Sequence, residues 1–301
     1  MKAGIATYTI RNELERDPYH ALEVMAEIGY KTIEFCNIGA EEFPESPGRF
    51  AIDPVAFRKK AEDLDIRLLG SVIIPGYFLT GTAEEINNFY FDDVLMRRIF
   101  AFNQSINATH VTVGIGFFPD KDSVLRCCER YNKLGEMGRE YGLEVYYHNH
   151  YQEFAMIDGQ QVFDIILENT DPKLFNLELD AYWAFRGMCD PVKIMQKYKE
   201  RVRLLHMKDF PFEQVRHLDC WTIQDRFSPV LPDSFMKVAD PRFFTEWGDG
   251  MLKLQEMVDL GNKYNVPYIF VEQDNTALPS EFDSIRKSME FAKQLRGIDL
   301  E

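Results

Sequence analysis

Short apolar runs rich in β-branched residues alternate along this chain with longer segments whose apolar positions recur at helical spacing. Residues 2–9 form the first run, and Asp17-Pro18 behind it is an N-cap and first-turn pair opening a helix that Gly29 closes. Residues 32–36 read as a second strand, and Asp53-Pro54 repeats the start signal ahead of a helix over 57–64. A third strand over 66–74 is followed by a long helical pattern over 83–104, and a fourth strand over 110–115 by a helix over 121–141 ending at Gly142. The rhythm continues with strand 143–148, a helix near 160–169, strand 174–179, Asp190-Pro191 with a helix to 199, and strand 202–206. After an irregular stretch over 209–250 come helix 251–264, strand 268–272 and a last helix over 281–296.

Eight strands and eight helical segments, with strands that read as continuously apolar, predict a parallel sheet covered by helices. At 301 residues this favours a closed (β/α)8 TIM barrel, one α/β domain over 1–301, rather than an open doubly wound sheet. The GxGxxG and GxxxxGK[ST] fingerprints are absent. The stretch 209–250 is too long for a plain connection and predicts a lid or wall over one rim.

Composition narrows the partners. With 49 acidic against 34 basic residues the chain carries −15, and no Lys/Arg cluster is dense enough to override that field. A polyanion is repelled, so no nucleic-acid partner is expected. Five cysteines, odd in number and without CxxC, are expected as reduced thiols of a cytoplasmic protein. The N-terminal residues lack the apolar core of a signal peptide, and the most apolar run, 68–79, is broken by Pro75 and Gly76. That run is too short for a bilayer, so no membrane partner is expected.

Barrel active sites lie at the C-terminal strand ends. There the sequence puts Glu34 at strand two, His148-Asn149-His150 with Glu153 at strand five, and Asp180 at strand six. His206 with Lys208-Asp209 follows strand seven, and Glu272 with Asp274 follows strand eight. Singly, each has an ordinary reading: a core histidine, a turn-capping aspartate, a glutamate paired with Lys208. Together they crowd ionisable groups at one mouth, where unpaired charge is costly, and a divalent metal resolves the conflict. Mixed imidazole and carboxylate donors suit Mn²⁺, Zn²⁺, Co²⁺ or Fe²⁺ better than Ca²⁺. Tyr8, Phe185, Trp221 and Trp247 read as packing or as a sugar platform, and Trp183, three residues past Asp180, is the strongest platform candidate, with Tyr8 also placed in the substrate site.

The segments Tyr147-His148-Asn149-His150-Tyr151-Gln152-Glu153-Phe154, Glu178-Leu179-Asp180-Ala181-Tyr182-Trp183, Leu205-His206-Met207-Lys208-Asp209 and Val271-Glu272-Gln273-Asp274 resemble the sugar phosphate isomerase/epimerase superfamily, the xylose-isomerase-like TIM barrels. The resemblance runs over essentially the whole chain. It implies a metal held by a Glu at strand five, an Asp after strand six, a His after strand seven and a Glu after strand eight. Asp180, His206 and Glu272 match that pattern. Strand five departs from it: either His148 is the first ligand, or Glu153 reaches back to the metal and His148 faces the substrate.

The implied activity is a metal-dependent isomerase or epimerase of a keto sugar or cyclitol, working through a metal-stabilised enediolate. The alternative is a lyase or dehydratase of a keto sugar, inosose or 3-keto-glycoside at the same site. Glu272 would combine ligand and base roles, and Glu153, His150 or Lys208 would supply the opposite-face proton. Glu246, in Thr245-Glu246-Trp247-Gly248-Asp249-Gly250, resembles the family's glycine-flanked acidic segment and is expected in the substrate pocket. The family's DNA-repair branch needs more metal-binding histidines than this chain's six provide. The net charge favours a neutral sugar or cyclitol over a phosphorylated one, and a homo-oligomer is left open.

Overall fold

A computed structural model describes residues 1–300. Eight parallel strands close into a barrel in which sequence neighbours are spatial neighbours. They are β1 (Lys2–Ala6), β2 (Thr32–Ile38), β3 (Arg67–Ile74), β4 (His110–Val113), β5 (Glu144–His148), β6 (Phe175–Asp180), β7 (Val202–Met207) and β8 (Tyr268–Val271). β8 pairs with β1 and completes the ring.

The strands alternate more strictly than their composition implies. Ile33, Phe35, Val111, Val113, Leu177, Leu179, Leu205 and Met207 face outward and join two large apolar clusters with the helices. The residues between them, Glu34, His110, Thr112, Glu178, Asp180 and His206, point into the barrel and are buried. A period of two sends successive side chains to opposite faces, so polar chemistry inside and apolar packing outside come from the same strands. Beneath the polar residues Leu69, Tyr146, Leu204 and Phe270 form an apolar plug.

Asp17, Asp53 and Asp190 cap the helices Pro18–Ile28, Pro54–Asp63 and Pro191–Lys197, each accepting hydrogen bonds from first-turn N–H groups. Gly29 closes the first of these at φ 111°, a left-handed position that favours glycine. The helical shell is more divided than eight segments. β1 stops at Ala6 and gives way to a 3-10 turn over Thr7–Ile10. The pattern over 83–104 splits into Ala83–Phe89 and Asp93–Ser105, because Asp92 caps a new helix by accepting from Leu95 N–H. Ala181–Arg186 and Pro191–Lys197 both follow β6. All five cysteines are free thiols, and among the described residues no helix is long and apolar enough to cross a membrane.

Residues 209–250 form the expected wall, built of short helical turns such as Phe212–His217, Pro232–Phe235 and Pro241–Phe243. Two buried charged side chains pin it. The Asp209 carboxylate accepts hydrogen bonds from the N–H groups of Phe210, Gly248, Gly250 and Leu252. The Arg186 guanidinium, fully buried, donates to the carbonyls of Val238 at 2.5 Å and His217 at 3.2 Å. It lies 4.8 Å from the Phe243 ring centre and 5.4 Å from that of Phe210. Carbonyl dipoles and aromatic faces thus satisfy a buried cation that, among the described residues, has no carboxylate within ion-pair distance. Arg186→Ala leaves those carbonyls unpaired and is expected to cost about 3 kcal/mol. Urea unfolding would read that loss, and limited proteolysis should show earlier cleavage within 209–250 than in the parent chain.

Candidate active site

The C-terminal mouth holds a cavity of about 220 Å³ with two unlike faces. Tyr8, His148, His150, Lys208, Glu272 and Asp274 make the polar face; Val72, Ile74, Ile115, Phe235 and Phe244 contribute the apolar one. Phe235 and Phe244 come from the 209–250 wall, which therefore closes one side of the site. A larger cavity of about 500 Å³ lies outside the barrel among Phe185, Met188, Met251 and Met257, but its lining is mostly apolar and lacks the converging ionisable groups.

His148, Asp180, His206 and Glu272 each offer one ligand atom, and these atoms lie within 4.8 Å of one another. Local sequence explains the placement. Asn149 bridges from β5 to the backbone of Asp180: its Nδ2 donates to Asp180 O and its Oδ1 accepts from Asp180 N–H, both at 3.1 Å. The side-chain amide continues the strand pairing one residue past the end of β5. Thr7 and Thr9 do the same for the two seams that flank β1 across the barrel, accepting from Cys36 N–H and Gln273 N–H at 2.9 Å each. Asp180 Oδ1 accepts from Trp183 N–H at 2.8 Å and so caps the helix Ala181–Arg186, while Oδ2 faces Lys208 Nζ at 2.5 Å. Aspartate serves as both helix cap and site residue.

Burial and mutual charge set the protonation of this mouth. Burial works against the Lys208 ammonium, but Asp180, Glu272 and Asp274 outweigh it and hold the charge firmly in place. Lys208 Nζ contacts Glu272 and lies 3.6 Å from Asp274. His206 follows the same logic: burial disfavours its imidazolium, yet Glu178, Glu272 and Glu34 push its pKa well above the ordinary value. Burial also opposes the Glu272 carboxylate, but Lys208 and His206 pull its pKa well below the usual range. Burial, with His148 and Lys208 nearby, keeps His150 neutral, and its Nδ1 is buried without a hydrogen-bond partner. Asp274 is pushed up to about 7, chiefly by burial.

The structure sorts the residues singled out from sequence. His148, rather than Glu153, stands with Asp180, His206 and Glu272. Glu153 lies behind the cavity, accepting from Tyr147 Oη–H at 2.6 Å and from His150 N–H at 2.8 Å. Trp183 is fully buried and packs against His150, with ring centres 5.7 Å apart, and against Phe235 and Phe244. It backs the wall instead of lining the cavity. Glu246 also stands away from it, accepting from Thr276 Oγ1–H at 2.6 Å and Ser284 Oγ–H at 2.8 Å, and so ties the wall's end to the last helix. Tyr8 does line the cavity, with the Arg11 guanidinium 4.3 Å from its ring centre.

Glu34 is deeper than a strand-end rim position, inside the barrel beside His110 and His206. Sequence reasoning passed over His110, Glu178 and Arg11. The first two were detectable as polar residues at inward positions of apolar strands. Arg11, which donates to Asp274 O at 3.0 Å, carries no local signal.

A family model described as the xylose isomerase-like TIM barrel matches residues 22–295. Inosose dehydratase 2 of Bacillus cereus is 26% identical over 168 residues, 55% of this chain and 52% of that protein. The match thus spans about half the length of that relative. A sugar phosphate isomerase/epimerase from Parabacteroides distasonis superposes with a TM-score of 0.75 at 22% identity, covering 99% of this chain and 95% of the other. The IOLI protein, solved with a bound zinc atom, superposes with a TM-score of 0.66 at 13% identity over 98% of this chain and 96% of the other. Likeness at these identities speaks for the fold.

Glu153 offers a test of the packing behind the cavity. Burial raises its pKa from 4.5 to about 7, against the hydrogen bonds from Tyr147 and His150. The folded chain therefore binds the extra proton across that window, and stability falls as pH rises from about 4.5 to about 7. Glu153→Gln removes the titration, so its melting temperature should show a smaller decline over that interval than the parent's, measured by circular dichroism in matched buffers.

Proposed function

Because the chain belongs to the xylose isomerase-like TIM barrel family, we propose that its mouth is the active site of a metal-dependent enzyme that moves a proton next to the carbonyl of a keto sugar or keto cyclitol. The carrying observation is the convergence of His148, Asp180, His206 and Glu272 with Lys208, His150 and Asp274 on one small cavity. Two imidazoles and two carboxylates fit Mn²⁺, Zn²⁺, Co²⁺ or Fe²⁺ in their donor chemistry. A cation held there supplies a Lewis acid for a ketone and its neighbouring hydroxyl.

The chain's own residues do the rest. The apolar face formed by Val72, Ile74, Ile115, Phe235 and Phe244 receives the C–H side of a ring, and the opposite face its hydroxyls. A neutral His150 with an unpartnered Nδ1 can accept a proton. Lys208, held charged, keeps Glu272 beside it ionised and donates hydrogen bonds toward a bound oxygen. At about 220 Å³ the cavity suits a single ring. The preferred reaction is elimination: a base removes the C–H next to the carbonyl, the electron pair forms the new C=C bond, and the β-hydroxyl leaves as water with a proton from an acid group. Two observations support it. His148 occupies the strand-five place where the family pattern has a carboxylate, and the inosose dehydratase likeness reaches 26% identity.

Isomerisation or epimerisation at the same site is the second reading. It is favoured by proton-active groups from two separate strand ends, His150 and Asp274, lining one cavity. Metal analysis of the purified chain followed by incubation with inosose, 3-keto-glycosides and ketohexoses in D₂O separates the two. Loss of water or of an aglycone supports elimination, and deuterium in an unchanged skeleton supports isomerisation. Lys208→Ala should lower kcat/KM by about 10²–10⁴-fold. No product and no exchange with any of these compounds would sink both readings.

A further inference from the structure

Beneath the four candidate ligands the barrel holds a second polar tier. Glu34, His110 and Glu178 also offer ligand atoms within 4.8 Å of one another, and all three are buried. By composition alone this trio could hold a second cation. Its hydrogen bonds give it another role. Glu34 Oε1 lies 2.5 Å from His110 Nε2, and Glu34 Oε2 contacts His206 Nε2. Glu178 Oε2 accepts from Thr112 Oγ1–H at 2.7 Å, and its Oε1 lies 3.0 Å from both His148 Nδ1 and His206 Nε2. Every carboxylate oxygen of the lower tier is already engaged, and Glu178 touches the inward nitrogens of both upper histidines, with Glu34 on that of His206.

We propose that Glu34 and Glu178 are positioning residues of the metal site above them: they hold a proton on Nε2 of His206 and on Nδ1 of His148. An imidazole binds a cation only through its unprotonated nitrogen. The two histidines therefore present opposite atoms, Nδ1 of His206, 2.9 Å from Glu272 Oε2, and Nε2 of His148, 3.7 Å from Asp180 Oδ2. Carboxylates behind metal-bound histidines fix ring orientation and raise ligand basicity. Here the barrel supplies them: His148 pairs with Glu178 on the adjacent strand, and Glu34 reaches His206 across the interior. The inference rests on the metal reading given under the proposed function.

The test uses the full chain labelled with ¹⁵N-histidine and titrated with Zn²⁺. Only six histidines contribute signals. Long-range ¹H–¹⁵N spectra of the Zn²⁺-loaded chain should show His206 protonated on Nε2 and His148 protonated on Nδ1; the reverse tautomer at either position overturns the proposal. Zn²⁺ uptake should saturate at one ion per chain. Two ions per chain, with one lost in His110→Ala, would make the lower trio a cation site of its own and overturn the proposal as well. Glu34→Ala and Glu178→Ala should weaken Zn²⁺ binding by about 10–100-fold, with Glu34→Gln, which keeps one acceptor for His206, weakened less than Glu34→Ala. Folded variants with unchanged affinity count against it, and the wild-type spectra decide if a variant does not fold. A wild-type chain that takes up no Zn²⁺ fails the metal reading itself, an outcome distinct from normal uptake with reversed tautomers.

Discussion

Glu34, Glu178, Asp180 and Glu272 are gathered inside a closed barrel, with Asp274 at its mouth, where an ionised group without a counter-charge is strongly disfavoured. Lys208 answers part of that charge, and with no cation bound His206 does too, each held protonated by the carboxylates around it. An excess of negative charge is left over, the sign that a divalent cation answers. Glu34 shows how tightly the parts depend on one another. Burial would raise its pKa, yet His206 and His110 hold it down to about 2. Removing any one member leaves its partners buried with the wrong charge, so the site is a collective arrangement rather than a set of independent ligands.

The surrounding fold serves that arrangement. Alternation along the strands is what allows polar residues inside without loss of apolar packing outside, where the helices cover Ile33, Phe35, Leu177 and Leu205. Asn149, Thr7 and Thr9 extend the strand pairing past the strand ends, holding the mouth rigid where the candidate ligands sit. Arg186 and Asp209 then fasten the 209–250 wall over one side, and through Phe235 and Phe244 that wall gives the cavity its apolar face. Catalytic constellations need such support, since ligands on loose loops lose their geometry.

Much of this is legible in the linear sequence. Asp17-Pro18, Asp53-Pro54 and Asp190-Pro191 mark helix starts through local hydrogen bonding alone, and each does cap a helix. The spacing of apolar runs predicts the barrel, and His148, Asp180, His206 and Glu272 stand out because they abut those runs. Trp183 misled because a residue near a strand end in sequence can point behind the wall as easily as into the cavity, and Glu246 because the resemblance of its segment does not fix which way its side chain turns. Glu153 misled for the same reason: a 3-10 turn at Gln152–Phe154 turns its carboxylate back onto Tyr147 and the His150 backbone. Reading the strands as uniformly apolar hid His110 and Glu178, whose inward positions show only once the pleat is counted residue by residue.

The barrel, the strand ends that face one another, and Asp180, His206 and Glu272 as residues that can hold a cation follow from the linear chain, because strand rhythm, helix caps and residue chemistry are local properties. Folding in three dimensions settled the rest: that His148 and not Glu153 stands with Asp180, His206 and Glu272, that Trp183 and Glu246 support the wall, and that Glu34 and Glu178 lie under the histidines. Those outcomes depend on side-chain direction and on contacts between residues far apart in the chain, such as Glu34 with His206. Closure of the barrel brings those residues together, and no local pattern records that closure.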